Sequence, residues 1–276
     1  MLTKLIRHEW NDTWRIPAVI FGIFFALSAV CLIYFGLRPD APEGVEINLG
    51  VLFVFVAYTL VLTAFSVIIQ IYFAVRFYKN LYTDEGYLMH TLPVKPWMLI
   101  ASKTVIGTLW IYLSTLLTVG SCFLIIRTAL PKIGYIEPEA ADVFGAFLSS
   151  FFMADSPFAV FLLAVPFTLV SSAFSVLLLY AAASLGQLFT RHKVMASILC
   201  YFGLNALVST VSMIVMLPVM GGLVITQADV LAQNPAAAVS PAMCGIFWAS
   251  ATVSVICGAA SFFLSDYIMR RSLNLD

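Results

Sequence analysis

Few side chains in this chain could do chemistry, and the densest group of them lies in one stretch. Residues 79–103 read KNLYTDEGYLMHTLPVKPWMLIASK, between two long apolar runs. The stretch holds an acidic pair (Asp84, Glu85), Gly86, Tyr87, Leu88, Met89, His90, two prolines, and a lysine at each end. Its chemistry is that of recognition. Carboxylates can meet basic groups, and the apolar trio that follows them can bury area worth about 25 cal/mol per Å².

Other chemistries lack the residues they need. No H-E-x-x-H, G-x-S-x-G or Walker A pattern occurs, so the chain carries no catalytic constellation and does not bind ATP through a phosphate loop. His8, His90 and His192 are widely dispersed in sequence and suggest no metal site. The five cysteines (Cys31, Cys122, Cys200, Cys244 and Cys257) sit singly in apolar sequence and read as small buried hydrophobes. With 14 cations against 14 anions there is no basic excess for nucleic acid. Cofactors are therefore expected to be absent from this chain.

The composition requires a membrane. The chain is 62% hydrophobic and only 10% charged, with mean hydropathy +1.01. Soluble domains have roughly a quarter of their residues charged. A helix needs about 20 apolar residues to cross the hydrocarbon. Six runs qualify, at 17–37, 49–75, 100–126, 157–186, 194–223 and 241–268, in one transmembrane domain covering 1–276. The fold class expected is an all-α integral membrane protein. An even number of spans puts both termini on one side. With the termini in the cytoplasm, eleven Lys and Arg fall inside and only Arg38, Arg127 and Lys132 outside, which fixes the orientation by the positive-inside rule.

Two further segments are short. In MLTKLIRHEWNDTWR, Leu2, Ile6, Trp10 and Trp14 recur every four residues, so residues 1–15 read as an amphipathic helix in the cytoplasmic interface, with Lys4, Arg7 and Arg15 toward lipid headgroups. Residues 140–156 are apolar but too short to span, and read as a re-entrant or interfacial external helix. Ionisable groups at depth are costly and mark function, and the spans hold essentially none. Lys103 is expected to reach the cytoplasmic interface by snorkelling. Gln70, Asn205, Ser209, Thr210 and Ser212 are the neutral polar groups within spans. They can serve interhelical hydrogen bonds or line a polar substrate path. The pairs Gly245/Ala249 and Ser254/Gly258 let span six approach a neighbour closely.

The orientation makes 79–99 cytoplasmic. Thr83 or Asp84 can cap a helix, and the carboxylates suit its positive end. Pro93 stops it, leaving about two turns near 84–91. Pro96 suits the first turn of the next helix, which Lys95 and Trp97 anchor. A two-turn helix is not stable alone. Either the membrane surface or a partner protein must cover Tyr87, Leu88 and Met89.

The segment DEGYLMHTLPVKPWMLIASK resembles the one that follows span two in permease subunits of ABC-2 type ATP-binding cassette transporters, which are bacterial membrane proteins. The matching positions are Glu85, Gly86, Leu88, Leu92, Pro93, Val94, Ser102 and Lys103. The six spans, the interfacial N-terminal helix and the cytoplasmic termini agree in layout. The chain departs from the family in having its larger external segment at 127–156 and only a short one at 224–240. The resemblance implies that 84–90 is a coupling helix seated on a separate ATPase subunit, which holds the ATP and magnesium. It also implies that two permease chains, identical or different, enclose the path. An exporter in the bacterial cell membrane is the expectation. The alternatives are a stand-alone carrier for a neutral or lipid-like substrate, and a membrane scaffold or sensor that does not transport.

Overall fold

The computed structural model describes residues 2–39, 48–83, 96–133, 157–189, 192–226 and 235–271. The expected coupling helix at 84–90 and the external helix at 140–156 lie outside the described residues. Among the described residues seven α-helices follow in order: α1 (Leu2–Thr13), α2 (Arg15–Gly36), α3 (Leu49–Tyr82), α4 (Pro96–Ile133), α5 (Pro157–Gly186), α6 (Lys193–Thr226) and α7 (Pro235–Arg271). No strand occurs among the described residues. Six of the helices carry segments long and apolar enough to cross a membrane: Arg15–Gly36, Leu49–Tyr82, Pro96–Ile126, Val165–Gly186, Lys193–Gly222 and Gly245–Arg270. The fold is all-α, with the pattern of a multi-pass membrane protein.

Local chemistry sets the helix ends. Pro17 has no N–H for the Thr13 carbonyl, and its ring crowds that carbonyl, so α1 cannot run straight into α2 and the chain turns at Trp14. Proline also opens α4, α5 and α7, where a missing N–H costs nothing. Asn48 caps α3 by accepting from Val51 N at 3.3 Å. The C-terminal carbonyls of α2 find a cation: Lys132, at the end of α4, donates to the Phe35 and Arg38 carbonyls. Several helices run past the spans expected from sequence. The second runs through charged Arg76 and Lys79 to Tyr82, and the third starts at Pro96. Apolar count finds the hydrocarbon-crossing part, whereas backbone hydrogen bonding carries a helix on past it.

The buried side-chain core lies chiefly where α2, α3, α4 and α5 meet. Phe24 stacks on Phe65 with centroids 4.3 Å apart, and Phe77 lies on Tyr180 at 3.8 Å, nearly parallel. In a bilayer, lipid tails are as apolar as leucine, so fit and hydrogen bonds, rather than escape from water, hold these helices together. Ser28 and Tyr58 share a hydrogen bond of 2.8 Å across α2 and α3, and Tyr82 and Ser184 share one of 2.8 Å across α3 and α5. Gly107 allows α5 to come close, since a Cβ there would sit 3.0 Å from the Tyr180 hydroxyl and 3.3 Å from Val176. Gly258 faces Phe174 and Leu177, so the small residues of span six seat it on α5.

Candidate functional site

At the end of α3 and the start of α4, four helices bring charged or hydroxyl groups to one point. Glu9 of α1 is buried, with its side chain 8% exposed. It accepts hydrogen bonds from Lys103 of α4, 4% exposed, and at 3.5 Å from Arg76 of α3. Arg76 also donates to Asp12 at 2.5 Å, one turn further along α1. From α5, the Tyr180 hydroxyl donates to the Lys103 carbonyl at 3.3 Å. The Thr13 hydroxyl returns to the Glu9 carbonyl at 2.6 Å, which closes off the end of α1. Trp10 stacks on Trp110 beside the charges, 5.3 Å between centroids.

Two cations and two carboxylates leave the cluster neutral. Charge-assisted bonds of this kind are strong, but they must offset the cost of taking ions out of water. The groups therefore depend on one another: removing Glu9 takes a carboxylate from both cations, and removing Lys103 leaves Glu9 the longer Arg76 contact. Arg76 holds the Asp12 carboxyl below the ordinary carboxylate range, chiefly through its hydrogen bond. A cavity of about 10 Å³ lies among Glu9, Arg76, Lys103 and Tyr180. That is room for about one water and for no substrate. The arrangement can fix helices relative to one another; it cannot bind and transform a small molecule.

These residues correct one expectation. Lys103 does not snorkel to the interface; it is buried on Glu9, whose carboxylate is a nearer counter-charge than water or headgroups. On α1, the stripe Leu2, Ile6, Trp10, Trp14 lies beside the face that packs on the protein. Trp10 and Trp14 are 43% and 47% exposed, while Glu9 and Thr13 are buried, with Leu5 and Ile6 packed on the core. The signal for this was present. Glu9 is spaced four from Leu5 and from Thr13, on the same side as Ile6, and a lone lysine two turns inside a span needs an anion.

Of the residues expected to meet a partner, Asp84, Glu85, Gly86, Tyr87, Leu88, Met89 and His90 lie outside the described residues. The structure describes their two flanks, Thr83 and Pro96. Gln70 is half-buried on α3. Asn205 and Ser212 are half-buried and Ser209 exposed on α6, which packs on α5 and α7. Those four are therefore not gathered into one path within a single chain. A larger concavity of about 390 Å³ lies between α5 and α7, lined by Phe167, Phe247, Trp248 and Val255. Its one hydroxyl, on Thr252, is turned back to the Ala249 carbonyl at 2.7 Å, so the groove offers hydrocarbon contact alone. Among the described residues no group of three or more His, Cys, Asp or Glu could hold a metal ion. Comparison with family models, with curated proteins and with solved structures finds no match for this chain.

Proposed function

We propose that the chain is the membrane-spanning permease subunit of an ABC-2 type ATP-binding cassette transporter, driven by a separate ATPase and working as an exporter half. One observation carries the reading: the segment from Glu85-Gly86-x-Leu88 through Leu92-Pro93-Val94 to Ser102-Lys103, set between two spans. In this reading 84–90 is a coupling helix on the ATPase, and ATP and magnesium stay in that subunit. Both termini are cytoplasmic, α1 lies along the headgroups of the bacterial cell membrane, and a second permease chain completes the path. Six apolar spans and the burial of Ser102 and Lys103 at the start of α4 support it. So does α6, whose most apolar stretch has nothing buried and which therefore has a free side for a second chain. Of the path candidates on α6, Ser209 is exposed while Asn205 and Ser212 are half-buried, and Gln70 is the further candidate.

Affinity purification of the chain from a bacterial membrane is expected to bring an ATP-binding cassette ATPase with it, and Gly86→Asp or Leu88→Asp is expected to release it. Retention of the ATPase by both variants, or no ATPase at all, rejects the reading. The groove between α5 and α7 favours a second reading, a stand-alone carrier for a lipid-like substrate. Transport by the purified chain without any ATPase would select that one.

A further inference from the structure

The charge cluster stands in a particular relation to the 84–95 segment. Arg76 lies seven residues before Thr83, and Lys103 lies seven residues after Pro96. At 1.5 Å per residue, each is about 10 Å along its helix from the root of that segment. Both cations converge on one carboxylate, Glu9. Glu9 belongs to neither span; it comes from α1, which has a second hold on α4 through the Trp10–Trp110 stack and a second hold on α3 through Asp12. The hydroxyl of Tyr180 adds α5 at Lys103. A displacement of the segment must therefore tilt the ends of α3 and α4 about a point at which α1 is fastened.

We propose that Glu9 is a positioning residue that fastens α1 to both roots of the 84–95 segment, so that α1 and the two roots move as one body when a partner displaces that segment. This rests on the permease reading above, in which the partner is an ATP-binding cassette ATPase. The cluster is suited to the task. A buried, hydrogen-bonded ion pair rigidifies what it joins, and the water-sized cavity leaves little slack. Linkage runs both ways, so displacing α1 also shifts the segment's affinity for its partner.

The test uses the full chain in lipid nanodiscs with the ATPase that co-purifies, in a background lacking the five cysteines. Spin labels at Asn11→Cys and Phe263→Cys report α1 against α7; labels at Thr83→Cys and Phe263→Cys report a root against α7. The working variant is E9Q/K103M, which removes the link without stranding a charge and leaves Arg76 its partner Asp12. In the parent, trapping the ATPase with ATP and vanadate is expected to shift both distances. In E9Q/K103M the root distance still shifts by the parent amount, while the α1 shift falls to less than half of the parent's, the Asp12 and Trp10 holds remaining. No α1 shift in the parent, or an α1 shift in the variant of half the parent's or more, overturns the proposal. Rescue by E9D/K103, which keeps the charge, separates a link from bulk packing: its α1 shift returns, and failure to return also overturns the proposal. If no ATPase co-purifies, the permease reading fails separately. The fastening is then judged in the chain alone, where the α1 distance distribution broadens in E9Q/K103M, and an unchanged width overturns it.

Discussion

The halves of α3, α4 and α5 nearest Glu9 and the length of α6 answer the same solvent in opposite ways. Around Glu9 the helices close on one another through an ion cluster, a pair of stacked rings and a glycine that admits a tyrosine. In α6 none of the most apolar stretch is buried, against 33% in α5. Yet the two helices are of similar composition. In a bilayer, apolar residues gain little by leaving lipid for protein. Close packing with buried side chains therefore arises where polar groups must find partners across helices, whereas α6, whose Ser197 and Thr210 return to carbonyls of their own helix, packs on α5 and α7 with its most apolar stretch less fully covered.

The sharpest way to break this contrast is to unbalance the cluster. Glu9→Leu takes the carboxylate from buried Lys103 and is expected to cost about 3–5 kcal/mol, and Lys103→Met, which leaves Glu9 its Arg76 contact, is expected to cost less. The double variant E9L/K103M is expected to recover most of that loss. Unfolding in mixed detergent micelles measures all three. If the double variant loses as much as the sum of the singles, the two groups are not a pair, and the cluster is not what separates the regions.

A methyl group gives the next largest effect, with opposite signs in the two regions. At Gly186, a Cβ would lie 2.6 Å from the Cα and N of Ser197, where the end of α5 meets the start of α6. Backbone must shift to admit it, so Gly186→Ala is expected to cost about 1–3 kcal/mol. Gly203, on the open side of α6, has nothing within 4 Å of such a Cβ. Gly203→Ala is expected to gain up to about 1 kcal/mol from helix propensity. Thermal unfolding of both variants in one detergent decides it, and a loss at Gly203 would mean that the face is occupied. A smaller contrast concerns hydroxyls. Tyr58→Phe removes the bond to Ser28 across α2 and α3 and is expected to cost about 0.6–2 kcal/mol. Thr210→Val removes only a bond to Ala206 of its own helix, and the same unfolding assay is expected to show a smaller change.

The spans were legible because twenty apolar residues admit one physical solution. Their ends were less so. A count of apolar residues stops at Val75, but α3 continues through Arg76 because its backbone bonds continue and Arg76 finds Glu9 and Asp12. The cluster escaped a reading by periodicity because two tryptophans at four-residue spacing outweighed a glutamate among apolar neighbours. Hydropathy treats Glu9 as an interruption; Lys103 makes it the most buried charge of α1. That pairing spans 94 residues of sequence, and local pattern carries no information about it. The reverse holds for Gln70 and Asn205. As polar residues in apolar spans they stand out in sequence, but they lie on helices that this chain alone does not bring together.

The smallest expected effect lies at the rim of the cluster. Asp12 shares Arg76 with Glu9 but is largely exposed, with its side chain at 60%. Its carboxyl is held below its ordinary value of 3.8, first by the Arg76 hydrogen bond. Because the folded value is the lower one, the unfolded chain binds more protons in that window, and stability rises with pH there. The contribution is thus complete above the ordinary value and disappears as pH falls through the lowered one. Solvent screening limits it to under about 1 kcal/mol. Asp12→Asn is expected to leave the stability of the purified chain nearly unchanged when acid, and to lower it slightly at neutral pH. A larger loss at neutral pH would show that α1 is held from its rim, by Asp12, rather than from its buried face, by Glu9.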